Sequence, residues 1–112
     1  MIETFRKGYQ PSTQGSSLKG TTQATYDQLV DALGKPTIDV ESGDCKTQVE
    51  WVCEFEGEIF TIYDWKTYDR NYTEHVLDEF HVGGKTYAGE FISKLEEILQ
   101  RINRLSYGCK IK

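Results

Sequence analysis

No apolar run in this chain approaches the roughly 20 residues that a membrane-spanning helix needs, so no membrane association is expected. The opening stretch, MIETFRKGYQ, has no apolar h-region, so export is not indicated and a reducing cytoplasm is the plain reading. Cysteine is sparse and odd in number, and Cys45, Cys53 and Cys109 fall at spacings that match no zinc or redox motif. With His75 and His81 they would supply enough ligands for a metal, but nothing in the sequence brings them together, so neither a metal nor a cofactor is expected. No serine or cysteine nucleophile with a matching base is legible from spacing, and there is no Walker motif and no internal repeat. His75 and His81 suit acid–base chemistry near neutral pH, yet the balance is against an enzyme.

What is present is enough for a single small domain of 112 residues with one core. The net charge of −5 hides a polarity. Asp39, Glu41, Asp44, Glu50, Glu54, Glu56 and Glu58 face the single Lys46 within one stretch, whereas Arg101, Arg104, Lys110 and Lys112 close the chain with no acid among them. Such asymmetry either orients a partner or is solvated surface. The acidic balance disfavours nucleic acid as a partner, with the basic C-terminal segment as the one feature that speaks for it.

The clearest structural signal runs from Lys46 to Lys66, KTQVEWVCEFEGEIFTIYDWK. It reads as two aromatic-rich strands closing on Glu56-Gly57, because glycine reaches positive φ without steric cost in a two-residue turn. The turn sets the register: Phe55 opposite Glu58, Cys53 opposite Phe60, Trp51 opposite Ile62 and Val49 opposite Asp64, all on one largely apolar face. Cys53 is then a small buried hydrophobe. The other face pairs Glu54 with Ile59, Val52 with Thr61 and Glu50 with Tyr63, a mixture that is neither core nor solvated surface.

Residues 1–23 read as a flexible or irregular N-terminal arm, since Gly8 to Gln23 is dominated by Ser, Thr, Gln and Gly. A helix follows over about 25–33, capped by Thr25 with Gln28 three residues on, striped by Tyr26, Leu29, Val30 and Leu33, and closed by a left-handed Gly34 and by Pro36. Thr37 to Val40 is a short extended piece, and the segment from Lys66 to Glu79 is a polar loop. A third strand is expected over Glu79 to Val82, ended by Gly83-Gly84, before a second helix over about 86–105. Tyr87, Phe91, Leu95, Ile98, Leu99 and Ile102 form that helix's stripe, with Glu90 and Lys94 as an i,i+4 pair. Two helices on one face of a small antiparallel sheet centred on a hairpin at about 47–65 make an α+β two-layer sandwich.

Gly20-Thr21-Thr22-Gln23, Ala24, Tyr26, Leu29 and Leu33-Gly34-Lys35-Pro36 form one pattern, and Lys46-Thr47, Val49-Glu50-Trp51 and Phe60 to Lys66 form a second. With the later Phe80 to Gly84, these resemble the motifs of a family of small uncharacterised proteins encoded by bacteriophages, over about two-thirds of the chain. The resemblance implies a phage or prophage origin, a similar fold and a place in the cytoplasm of an infected bacterial host. It brings no activity with it.

Packing explains Gln23, Asp64, Trp65 and Lys66 least. One reading has Asp64 accept backbone or threonine hydrogen bonds from the Gly20 to Gln23 segment, since an unpaired buried carboxylate would be costly. The other has Gln23, Asp64 and Lys66 line a pocket walled by Tyr63 and Trp65, where aromatic faces stack a planar polar ligand. Gly83, Gly84 and Lys85 are either a tight strand-to-helix connection or an anion-binding turn. Val52, Ile59 and Tyr63 form a contact surface for a partner or a second copy unless Ile2, Phe5 or Tyr9 covers them. The functional expectation is a phage-encoded, non-catalytic binding protein of counter-defence type that sequesters a nucleotide-type signal. The alternatives are a cap on a host defence protein, a self-assembling structural phage protein, and a small hydrolase.

Overall fold

In the computed structural model the described residues are 2–7, 15–42 and 46–111, with side chains up to Asn103. The elements are β1 (Ile2–Thr4), β2 (Ser17–Gln23), α1 (Tyr26–Leu33), β3 (Glu50–Phe55), β4 (Glu58–Tyr63), α2 (Arg70–His75), β5 (Glu79–Gly84) and α3 (Gly89–Ile111). The strands form one antiparallel sheet in the order β1-β3-β4-β5-β2, and the fold is α+β.

The hairpin of β3 and β4 has the expected register along its whole length, from Glu50 opposite Tyr63 to Phe55 opposite Glu58. Glu56 and Gly57 both take positive φ, 52° and 82°, as a turn matched to the twist of two strands requires. Trp51, Cys53, Phe60 and Ile62 are buried on one face, where Phe80 and Val82 of β5 join them. Trp51 lies between Tyr26 and Phe80, with ring centroids 5.8 Å from each, and Phe60 stacks on Phe91 of α3 at 4.6 Å. Burial pushes the Cys53 thiol up to about 12, although a weak contact with Thr4 works the other way, so this cysteine is an inert part of the core.

Helix α1 starts as its sequence dictates. Thr25 Oγ1 accepts from the Gln28 amide at 3.2 Å and Gln28 Oε1 accepts from the Thr25 amide at 2.9 Å. Gly34 has the expected positive φ of 88°, but its ψ of −169° is extended, so the chain leaves the helix directly instead of through a left-handed turn.

Four expectations are corrected. Residues 2–4 and 17–23 of the expected arm are edge strands, because β3 and β5 supply pairing partners that the sequence of this segment does not advertise; Gly8 to Gln14, with Tyr9, lie outside the described residues. Gly83 and Gly84 do not end the third strand but lie within it, between β4 and β2. The presumed polar loop contains α2, capped by Asp69. Finally, α3 begins at Gly89, which takes Tyr87 off the apolar stripe and leaves it 85% exposed, and Lys94 pairs with Glu97 at 3.4 Å.

Thr22 faces the core from β2, 1% exposed, and its hydroxyl has no hydrogen-bond partner. Thr22→Val keeps the branched shape that suits a strand and removes this unsatisfied group, so it should raise stability by about 1 kcal/mol. Thermal unfolding followed by circular dichroism checks this, and a lower melting temperature would contradict it.

Candidate binding surface

Strand β4 ends at Tyr63, and Asp64 turns into the protein, where it is fully buried. Its carboxylate accepts from the Gln48 amide at 2.9 and 3.1 Å, from the Val49 amide at 3.1 Å and from Thr73 Oγ1 at 2.6 Å. The Gln48 side chain donates to the Thr67 carbonyl at 3.0 Å, and the Thr67 amide donates to the Lys46 carbonyl at 3.1 Å. Arg70 fastens the same segment to α1 and the loop after it. It donates to Asp39 Oδ1 and to Glu74 Oε2, each at 2.6 Å, and to the Tyr26 hydroxyl at 3.2 Å. Burial works against the Arg70 charge, but the hydrogen bonds and charge of Asp39, with Glu74 and Tyr26, outweigh it and raise its pKa above the ordinary value.

The segment from Asp64 to Asp78 is thus pinned from behind while its apolar side chains point outward. Trp65 is 42% exposed, Tyr68 62%, Tyr72 46% and Val76 58%. Trp65, Tyr68, Tyr72 and Leu77 wall an open cleft of about 540 Å³, with Lys66, Thr67 and Asp69 supplying its polar groups. Lys66 holds the bend at its edge with a φ of 57°. Lys46 Nζ lies 5.4 Å from the Trp65 ring centre, and Tyr63 meets Trp65 edge to face at 6.2 Å.

The expected site residues are dispersed by the fold. Trp65 and Lys66 share the cleft, and Tyr63 supports Trp65 from the sheet. Asp64 is structural in its contacts, although its partners are Gln48, Val49 and Thr73 and not the Gly20 to Gln23 segment. Gln23 is exposed at the end of β2 and lines a separate recess with Glu96, Leu99, Gln100 and Asn103. Gly83 and Gly84 are buried in the sheet, where a Cβ would come within 2.9 Å of Thr61 Oγ1 and 2.8 Å of Phe60 Cδ1 respectively. Lys85 is four residues beyond His81, the partner of Tyr63, so roughly 13 Å of strand separates it from the Trp65 end. Val52 is fully buried, while Ile59 and Tyr63 are half-buried. Tyr68, Tyr72 and Asp69 were the residues to add, and the four-residue step between the tyrosines is the signal that marks them.

Among the described residues no group of three or more His, Cys, Asp or Glu side chains is placed to hold a metal ion, and no helix is long and apolar enough to cross a membrane. Compared with known proteins, the chain matches no family model, no curated protein and no solved structure.

Proposed function

We propose that this is a phage-encoded counter-defence protein that acts by binding, not turnover, in the cytoplasm of the infected host. Its ligand is a nucleotide-type signal taken into the Trp65–Tyr68–Tyr72 cleft. The observation that carries this reading is the exposure of three aromatic rings around one cleft whose backbone is fixed by buried hydrogen bonds. Exposed apolar rings on a rigid support offer binding surface at little entropic cost, and an aromatic face stacks a base for about 1–3 kcal/mol. Lys66 at the rim supplies a point charge for phosphate, and Thr67 and Asp69 supply polar groups for a base edge. Asp64 is committed to the fold and has no part in reading the ligand.

Calorimetry with a panel of cyclic dinucleotides, cyclic trinucleotides and ADP-ribose derivatives should find one ligand that is recovered unchanged after heat denaturation. Trp65→Ala should weaken it by about 1–3 kcal/mol, roughly 5- to 150-fold, without loss of fold. Recovery of a cleaved product would point to a hydrolase instead.

A second reading, a cap on a host defence protein, is favoured by one feature. Tyr68, Tyr72 and Val76 recur every four residues and extend the exposed apolar surface past the cleft. Failure of the whole nucleotide panel, with a host protein retained by the wild type and lost with Tyr72→Ala, would put this reading first.

A further inference from the structure

We propose that the sheet face opposite the helices carries a second site, for a planar organic cation of the guanidinium type, formed by Glu50, Thr61, Tyr63 and Ser16 over the bare backbone of Gly83. It shares no lining residue with the aromatic cleft and meets it through the edge-to-face contact of Tyr63 with Trp65. Glu50 and Tyr63 are cross-strand partners on β3 and β4, and Thr61 is the partner of Gly83 on β5. With Ser16 and Ser17 at the start of β2 they enclose a small cleft of about 220 Å³. Gly83, also on the lining, lets Thr61 and Tyr63 approach its backbone closely. A Cβ there would lie 2.9 Å from Thr61 Oγ1 and 3.3 Å from Tyr63 Cε1, closer than such atoms pack, so any other residue would push the hydroxyl and the ring out of place.

The polar groups around the cleft call for a cation. Glu50 is half-buried, and no Lys or Arg among the described residues forms an ion pair with it. Burial raises its pKa, and the nearby Asp64 carboxylate raises it further, so a cation that replaced the lost water would favour the charged carboxylate. The Ser16 hydroxyl oxygen is shut off from solvent with no hydrogen-bond partner. Thr61 and Tyr63 add further hydroxyl oxygens, so the lining is rich in acceptors and an anion would be repelled by Glu50.

Among cations the shape favours guanidinium over ammonium. A guanidinium is flat and weakly hydrated, and it carries five N–H donors in a fork that meets a carboxylate on one edge and hydroxyls on the other. It also stacks on an aromatic face. Tyr63 is held for this by edge-to-face contacts, 6.2 Å to Trp65 and 5.7 Å to His81. A compact ammonium would surrender more hydration and use the ring less.

The test is a titration of the full-length, isotopically labelled protein with methylguanidinium chloride, followed by amide resonances. Saturable shifts confined to Glu50, Thr61, Tyr63, Gly83 and their neighbours are expected at millimolar probe, with methylammonium binding more weakly. Urea, which has nearly the same shape but no charge, should leave these resonances unmoved. Glu50→Gln keeps the size of the side chain, removes its charge and turns one acceptor oxygen into a donor, so it should retain the fold and weaken the probe about tenfold or more. Gly83→Ala should abolish binding by displacing Thr61 and Tyr63, and the Glu50 variant decides the matter if the alanine variant does not fold. No saturable shift in the wild type, equal shifts with urea, or unchanged affinity in Glu50→Gln would each overturn the proposal.

Discussion

Trp51→Ala is expected to lower the unfolding free energy by about 3–5 kcal/mol, a large part of the roughly 5–15 kcal/mol available to a domain of this kind. The indole is fully buried at the centre of the sheet's inner face, between the rings of Tyr26 and Phe80. Its Nε1–H donates to the Gly34 carbonyl at 2.9 Å, which ties the end of α1 to β3. Truncation therefore removes a large apolar surface, leaves a cavity bounded by two rings, and breaks the tie between the end of α1 and β3. Ile59→Ala is the comparison: that side chain is half-buried on the outer face, and its loss should cost well under half as much. Urea unfolding of both variants measures the difference. A cost below about 1 kcal/mol for Trp51→Ala would show that the aromatic cluster does not organise the core.

How much of this was legible follows from how local each determinant is. The hairpin is readable to the residue because the Glu56-Gly57 turn and the apolar inner-face positions on either side of it fix the register within some twenty positions. The capping box of α1 is likewise a three-residue signal. Strand β2 was not readable, since its seven residues bury little beyond Thr22, and its order comes from pairing with β5, some sixty residues away. Gly83 and Gly84 looked like punctuation because a sequence does not reveal that Phe60 and Thr61 press against them from the neighbouring strand. Helix α2 was hidden for a related reason. A six-residue helix is too short to stand alone, and it persists because Thr73 bonds Asp64 and Arg70 bonds Asp39. The site suffered most. Trp65 and Lys66 lie together in the cleft, but chain neighbours of a buried residue need not share its surroundings, and Gln23 and Lys85 lie at other parts of the sheet.

The same geometry makes Asp64 the residue whose replacement best separates a structural role from a ligand-reading one. Asp64→Ala leaves the Gln48 and Val49 amides and the Thr73 hydroxyl as buried donors without an acceptor, at about 1–3 kcal/mol each, so a loss of about 3–5 kcal/mol is expected after partial relaxation. Asp64→Asn should also be severe. The amide has one oxygen where the carboxylate has two, and its N–H₂ group is forced against donors that already point inward. Thr73→Val, which removes one of these donors together with its bond, should cost only about 1–2 kcal/mol. Amide hydrogen exchange gives the local readout: in Asp64→Asn, protection should fall first across Thr67 to Leu77, because that segment loses its attachment to the Gln48–Val49 backbone before the β3–β4 hairpin is affected. Ligand affinity should then drop in proportion to the loss of the ordered cleft, and an osmolyte that restores the fold should restore binding with it. An Asp64→Asn protein that melts like the wild type yet binds nothing would reverse the assignment and return this carboxylate to the ligand.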